Sequence, residues 1–135
     1  MVDNQKILYK FIQLSNNISW NEISSNYILS ENFIKKFNDD VDWYYMSKSQ
    51  KLSENLIRKF QDKVIWRFVS IYQKLSENFI REFQDKVNWN WISAHQNLSE
   101  NFIREFQDNV TWYYILKYQT LSENFKKEFK HKLND

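Results

Sequence analysis

Two histidines, His95 and His131, an adjacent acid pair, Asp39 and Asp40, and a series of tryptophans are the side chains whose chemistry could reach beyond packing. A histidine–carboxylate set could hold a metal, but the chain has no cysteine and neither histidine stands in a ligand-spaced motif. Paired carboxylates could share general acid–base work. The equivalents of Asp39 and Asp40 in neighbouring copies of the same pattern, however, are Asp62–Lys63 and Asp85–Lys86, which read as turn residues. Glycine is absent, which excludes a Gly-rich phosphate cradle and a dinucleotide fingerprint. These residues predict a non-enzyme with no catalytic residue, no cofactor and no metal.

What must position any functional side chain is a repeat of 23 residues. Leu29, Leu52, Leu75, Leu98 and Leu121 each open Leu-Ser-Glu-Asn, and Trp20, Trp43, Trp66, Trp89 and Trp112 keep the same step. Such a period marks a stacked array in which each unit buries its apolar face on the next. Residues 75–97 serve as the type unit. Leu75, Phe79, Ile80 and Phe83 form one helical stripe, and Ser76 stands at the N-cap position with Glu77 in the first turn. Glu31–Lys35, Glu54–Arg58, Glu77–Arg81, Glu100–Arg104 and Glu123–Lys127 have the spacing of helical ion pairs on a solvated face.

A second helix follows. Ser19, Asp42, Asn88 and Thr111 precede their tryptophans as N-caps, Ile65 breaks the rule, and Glu22 completes a capping box with Ser19. Trp89, Ile92 and small Ser93 then define an inward face, with the tryptophan as core knob. Helices of about eight to ten residues are too short to stand alone, so stability must come from stacking. Val41, Val64, Val87 and Val110 are expected to tuck a short turn against the core. The predicted fold is all-α, an α-solenoid of antiparallel two-helix hairpin repeats. A leucine-rich repeat would need a strand, tetratricopeptide and ankyrin units are longer, and a coiled coil would need unbroken heptads.

One folding unit, 1–135, is expected. It comprises a degenerate N-terminal unit at 6–28, full repeats at 29–51, 52–74, 75–97 and 98–120, and a capping half-repeat at 121–135. In the first, Phe11, Leu14, Ile18 and Trp20 stay in phase and Asp3 is a candidate helix cap. In the last, Lys126 replaces Ile34, Ile57, Ile80 and Ile103, and the basic run to Lys132 suits a polar closing face. On this pattern the chain reads as complete at both ends.

The net charge of +2 is far from the basic balance of a duplex-binding protein, so nucleic acid is possible but not indicated. No 18-residue apolar run and no signal-like start occur, which predicts a soluble intracellular protein without a membrane partner.

Leu-Ser-Glu-Asn-Phe-Ile-Arg-Glu-Phe-Gln-Asp-Lys-Val-Asn-Trp and Trp-Ile-Ser-x-x-Gln resemble short repeats of giant DNA viruses of amoebae, the mimivirus-like group, and their associated mobile elements. The resemblance covers roughly 29–135 and is weakest in the first unit. It implies a repeat protein of unassigned role, in the host cytoplasm or the virion, with no catalytic motif to carry over. The near absence of alanine and the wealth of Asn, Lys, Ile, Tyr and Phe agree with an AT-rich genome.

Function is then sought in the columns that vary between near-identical copies: Tyr44, Arg67, Asn90 and Tyr113; Lys48, Ile71, Ala94 and Lys117; Ser49, Tyr72, His95 and Tyr118. They are expected on the exposed side of the second helices as one ridge. Tyr44, Lys48, Arg67, Tyr72, Asn90, His95, Tyr113, Lys117 and Tyr118 are the candidate partner-binding residues. The leading expectation is a protein-interaction or scaffold module. The alternative is single-stranded nucleic-acid binding, and self-association is a third possibility.

Overall fold

The computed structural model describes residues 4–15 and 17–134. All regular structure among them is helical, and the 23-residue step recurs throughout, giving an all-α fold of the α-solenoid class. Asp3, the candidate cap, lies outside the described residues. The chain divides into two compact units, Met1–Ile65 and Trp66–Asp135. The first holds α1 (Asn4–Leu14), α2 (Trp20–Asn26), α3 (Glu31–Lys36), α4 (Trp43–Ser49) and α5 (Glu54–Lys59). The second holds α6 (Trp66–Tyr72), α7 (Glu77–Glu82), α8 (Trp89–His95), α9 (Glu100–Glu105), α10 (Trp112–Tyr118), α11 (Glu123–Glu128) and α12 (Lys130–Leu133).

The helices are shorter than the pattern predicts, six residues for the Leu-Ser-Glu-Asn helices and seven for the tryptophan helices. Phe83, the last residue of the apolar stripe, has already left the helix at φ −109°, ψ 28°. Its carbonyl then closes one more turn by accepting from Lys86 N at 2.9 Å and Val87 N at 3.0 Å. Among the described residues no φ is positive. This tight, right-handed turn is how a chain without glycine reverses direction at no left-handed cost.

Serine caps begin each first helix. Ser30, Ser53, Ser76, Ser99 and Ser122 Oγ accept the backbone N–H three residues on at 3.1–3.2 Å. The second helices are less uniform. Ser19, Asp42 and Asn88 cap theirs, with Ser19 accepting from Glu22 N, but Thr111 does not. Its hydroxyl donates instead to Asn90 Oδ1 of the preceding repeat. The valines tuck in as expected, all buried.

Stacking supplies the stability these helices lack alone. In the first unit α2 packs on α4; in the second α8 packs between α6 and α10. Phe79, Ile80, Ile92, Phe102, Ile103, Ile115 and Phe125 are fully buried in the second unit, and Ile34, Met46, Leu56 and Ile57 in the first. Each such side chain contributes about 1.5–3 kcal/mol.

The tryptophans are not among them. Each is only half-buried, wedged with its ring about 5 Å from the phenylalanine that ends the next first helix: Trp43 on Phe60, Trp66 on Phe83, Trp89 on Phe106 and Trp112 on Phe129. Indole N–H groups donate down to Asn38, Gln84 and Gln107 carbonyls at 2.9–3.1 Å, which holds one ring edge at the surface. They are wedges between repeats rather than core knobs.

Two polar columns stitch repeat to repeat. Ser24, Ser47, Ser70 and Ser93, all fully buried, accept the N–H of residues 42, 65, 88 and 111 at 2.9–3.0 Å. Ser70 and Ser93 also donate to the Trp66 and Trp89 carbonyls, so each hydroxyl both donates and accepts. The second column is glutamine. Gln96 Nε2 donates to the Ser70 and Gln73 carbonyls at 3.0 and 2.7 Å, and its Oε1 accepts from Leu75 N at 3.0 Å. Gln50 and Gln119 repeat these bonds on their own neighbours.

Ion pairs also run between repeats more than along helices. Arg81 binds both carboxylate oxygens of Glu105 at 2.9–3.0 Å and Arg104 those of Glu128, although the Glu100–Arg104 pair survives at 4.0 Å. Glu77 is turned to Ser99 N and Oγ, and Glu100 to Ser122 N, at the start of the following helix.

Both ends depart from the pattern. In α1, Phe11 and Leu14 are exposed, contrary to an in-phase core reading, whereas Leu8 is buried. Gln5 of α1 bonds to the start of α3, its Oε1 accepting from Ser30 N at 3.0 Å. At the other end Lys126 is exposed, and Leu116 stands, half-exposed, where earlier repeats place the serine acceptor.

Candidate interaction surface

Inward positions of the second helices are the first, fourth, fifth and eighth, because Trp89, Ile92, Ser93 and Gln96 pack or bond against neighbouring repeats. The second, third, sixth and seventh positions turn outward, in keeping with the helical period. All nine predicted residues lie there and all are exposed. Among the other variable positions, Ser49 is exposed and Ile71 and Ala94 are half-buried.

In the first unit the face is small. Lys48 Nζ lies 5.8 Å from the Tyr44 ring, and Tyr44 meets Tyr45 edge-on at 5.1 Å. The second unit carries more. Arg67 Cζ sits 5.8 Å over Trp91, and Trp91 neighbours His95 at 5.6 Å and Tyr114 at 6.4 Å, nearly parallel at 19°. Tyr114 stacks on Tyr118 at 6.0 Å and meets Tyr113 edge-on at 5.3 Å. Lys117 Nζ lies 5.6 Å from the Tyr113 ring and 5.2 Å from that of Tyr118. The Tyr118 hydroxyl, above all, and Tyr113 hold the Lys117 ammonium above its ordinary pKa.

The third position of each helix escaped the sequence reading. Tyr45, Phe68, Trp91 and Tyr114 are aromatic in every copy but never the same ring in successive copies, and all are half-buried. That aromatic constancy was the available signal; it was hidden because the repeat tryptophan lies two residues earlier. No acidic residue occupies an outward position of α4, α6, α8 or α10.

The catalytic candidates are dispersed. His95 belongs to the aromatic face, His131 stacks on Phe129 at 6.3 Å, and Asp39 pairs with Lys63 of the following repeat. Asp39 is thus a repeat-to-repeat contact as well as a turn residue. No group of three or more His, Cys, Asp or Glu able to hold a metal occurs among the described residues. Nor is any helix of the described residues long and apolar enough to cross a membrane. An open hollow of about 550 Å³ beside α1 is lined by Ile7, Leu8, Phe11, Tyr27 and Ile28, with Gln5 and Asn26 at its polar rim. No family model, no curated protein and no solved structure matches this chain.

Proposed function

We propose that this protein is a non-enzymatic interaction module whose outward second-helix face docks a protein partner. The observation that carries this is a contrast between columns. Leucine, phenylalanine, serine, glutamine and tryptophan columns are committed to packing and hydrogen bonds within the fold, whereas α6, α8 and α10 present Arg67, Tyr72, Trp91, Tyr113 and Tyr118 with no carboxylate among them. Tyr, Trp and Arg are the types that dominate binding energies once an interface buries them. The Leu-Ser-Glu-Asn resemblance supports a source among giant viruses of amoebae or their mobile elements, and so a place in the host cytoplasm or the virion.

A second reading is favoured by one observation, the near-parallel Trp91 and Tyr114 rings, which offer stacking surfaces to the bases of a single strand. Capture from cells that make the protein tests the first reading. A reproducible protein partner should fall at least tenfold when Arg67, Tyr72, His95 and Tyr113 are all replaced by alanine. Undiminished capture of every partner rejects the face.

A further inference from the structure

Building on that reading, we infer that the partner presents an extended acidic segment, with two carboxylates about six residues apart and an apolar side chain between them, laid across α6, α8 and α10. The three outward faces carry no acid, and Arg67 and Lys117 stand at opposite ends of the set. Both cations are exposed, and both are steadied by rings, Arg67 by Trp91 and Lys117 by Tyr113 and Tyr118. A side chain already steadied loses less freedom when it binds.

The spacing follows from the stack. Packed helices lie about 8–10 Å apart, so α6 and α10, each packed on α8, present their faces about 16–20 Å apart. Lys117 sits one turn further along its helix than Arg67, which lengthens the separation only slightly. An extended chain covers about 3.3 Å per residue, so about five or six residues join the two carboxylates. Trp91 lies between the cations, its half-buried ring flanked by His95 and Tyr114, and makes the platform for the apolar side chain.

Charge favours a peptide over nucleic acid. A strand brings a phosphate with every nucleotide and draws its affinity from neutralising several of them, whereas this face offers two full cations in a chain of net charge +2. Tyr72 and Tyr118 add exposed hydroxyl donors suited to carboxylates.

Fluorescence anisotropy with the full chain tests this. The probe is a labelled Ser/Gly peptide with two glutamates separated by five residues and a leucine midway. Its controls are a peptide with adjacent glutamates, one with lysines in their place, and a labelled 15-nucleotide oligo(dT). The spaced acidic peptide should bind at least tenfold tighter than each control. Binding should weaken at least tenfold in the R67E/K117E variant, whose melting temperature should be unchanged because both positions are exposed. Equal binding of the adjacent-glutamate peptide, no acidic-peptide binding, or undiminished binding to R67E/K117E overturns the inference. Tighter oligo(dT) binding overturns it in favour of a nucleic-acid strand. The broader reading is judged separately: capture lost in the fourfold alanine variant keeps the face as an interaction site, and unchanged capture rejects both.

Discussion

Gln96 reaches back across a repeat to the carbonyl of Ser70, 26 residues earlier, at 3.0 Å from its buried amide. The same side chain donates to Gln73 O and accepts from Leu75 N, so one residue satisfies two carbonyls of the preceding repeat and the first N–H of its own. A buried amide with all these bonds made is neutral to fold around, but removing it strands its partners. Repeat-to-repeat adhesion is therefore polar as well as apolar.

Gln96→Ala should destabilise the second unit by about 3 kcal/mol or more, since it strands three backbone groups at about 1–3 kcal/mol each. Urea unfolding followed by circular dichroism measures it. A loss under 1 kcal/mol would mean that the carbonyls find other donors.

Ser93→Ala removes the acceptor of Thr111 N at 2.9 Å and the donor to Trp89 O at 2.7 Å. The expected cost is about 1–3 kcal/mol, chiefly from the unpaired Thr111 N–H. Hydrogen exchange at Thr111 should accelerate; protection equal to the wild type contradicts the assignment.

Arg81–Glu105 looks stronger on paper than it should prove in solution. Both side chains are more than a third exposed, so a double-mutant cycle with alanine should return only the weak coupling of a solvent-screened pair. A larger coupling would reverse the ranking that places buried serine and glutamine above surface ion pairs.

Trp66→Ala deletes a wedge whose ring lies 5.1 Å from Phe83 and 6.2 Å from Phe79. Because the indole is only half-buried, the cost should fall near the lower end of the ~3–5 kcal/mol seen for large aromatic deletions. An unchanged melting temperature would contradict the wedge.

Acid should loosen the last repeats. Hydrogen bonding from Ser122, first its backbone N–H and then its hydroxyl, with Arg104 nearby, holds the Glu100 carboxyl below its usual value of 4.5. Its folded pKa is thus lower than the unfolded one, so its contribution is complete above about 4.5 and is lost as pH falls through the lowered folded value. Unfolding midpoints from pH 7 to 3 should fall less for Glu100→Gln than for the wild type. Parallel curves would show that Ser122 does not bind the charged form.

Much of the fold is legible in the chain because a column repeated in phase must do the same job each time. Leu75, Phe79, Ile80, Val87 and the cap Ser76 follow from that alone. The stitches do not, because a period says which residues are equivalent but not which columns of adjacent repeats meet. Gln96 to Ser70, Thr111 to Ser93 and Arg81 to Glu105 join positions 26, 18 and 24 apart, offsets set by how one short helix leans on the next. Arg81 accordingly looks like a partner for Glu77 in the sequence and proves to be one for Glu105. The exposed ridge residues were legible as variable positions; Trp91 and Tyr114 were not, since an aromatic beside a repeat tryptophan reads as core.

Site-specific photocrosslinking tests the central claim, that the outward face of the second helices is where a protein partner docks. A benzophenone side chain placed at Tyr72 or Tyr113, and for comparison at Gln84 and Lys127, is irradiated in cells that make the protein. The face predicts the same discrete protein adduct from Tyr72 and Tyr113 and none from Gln84 or Lys127. Adducts confined to Gln84 or Lys127 would contradict it.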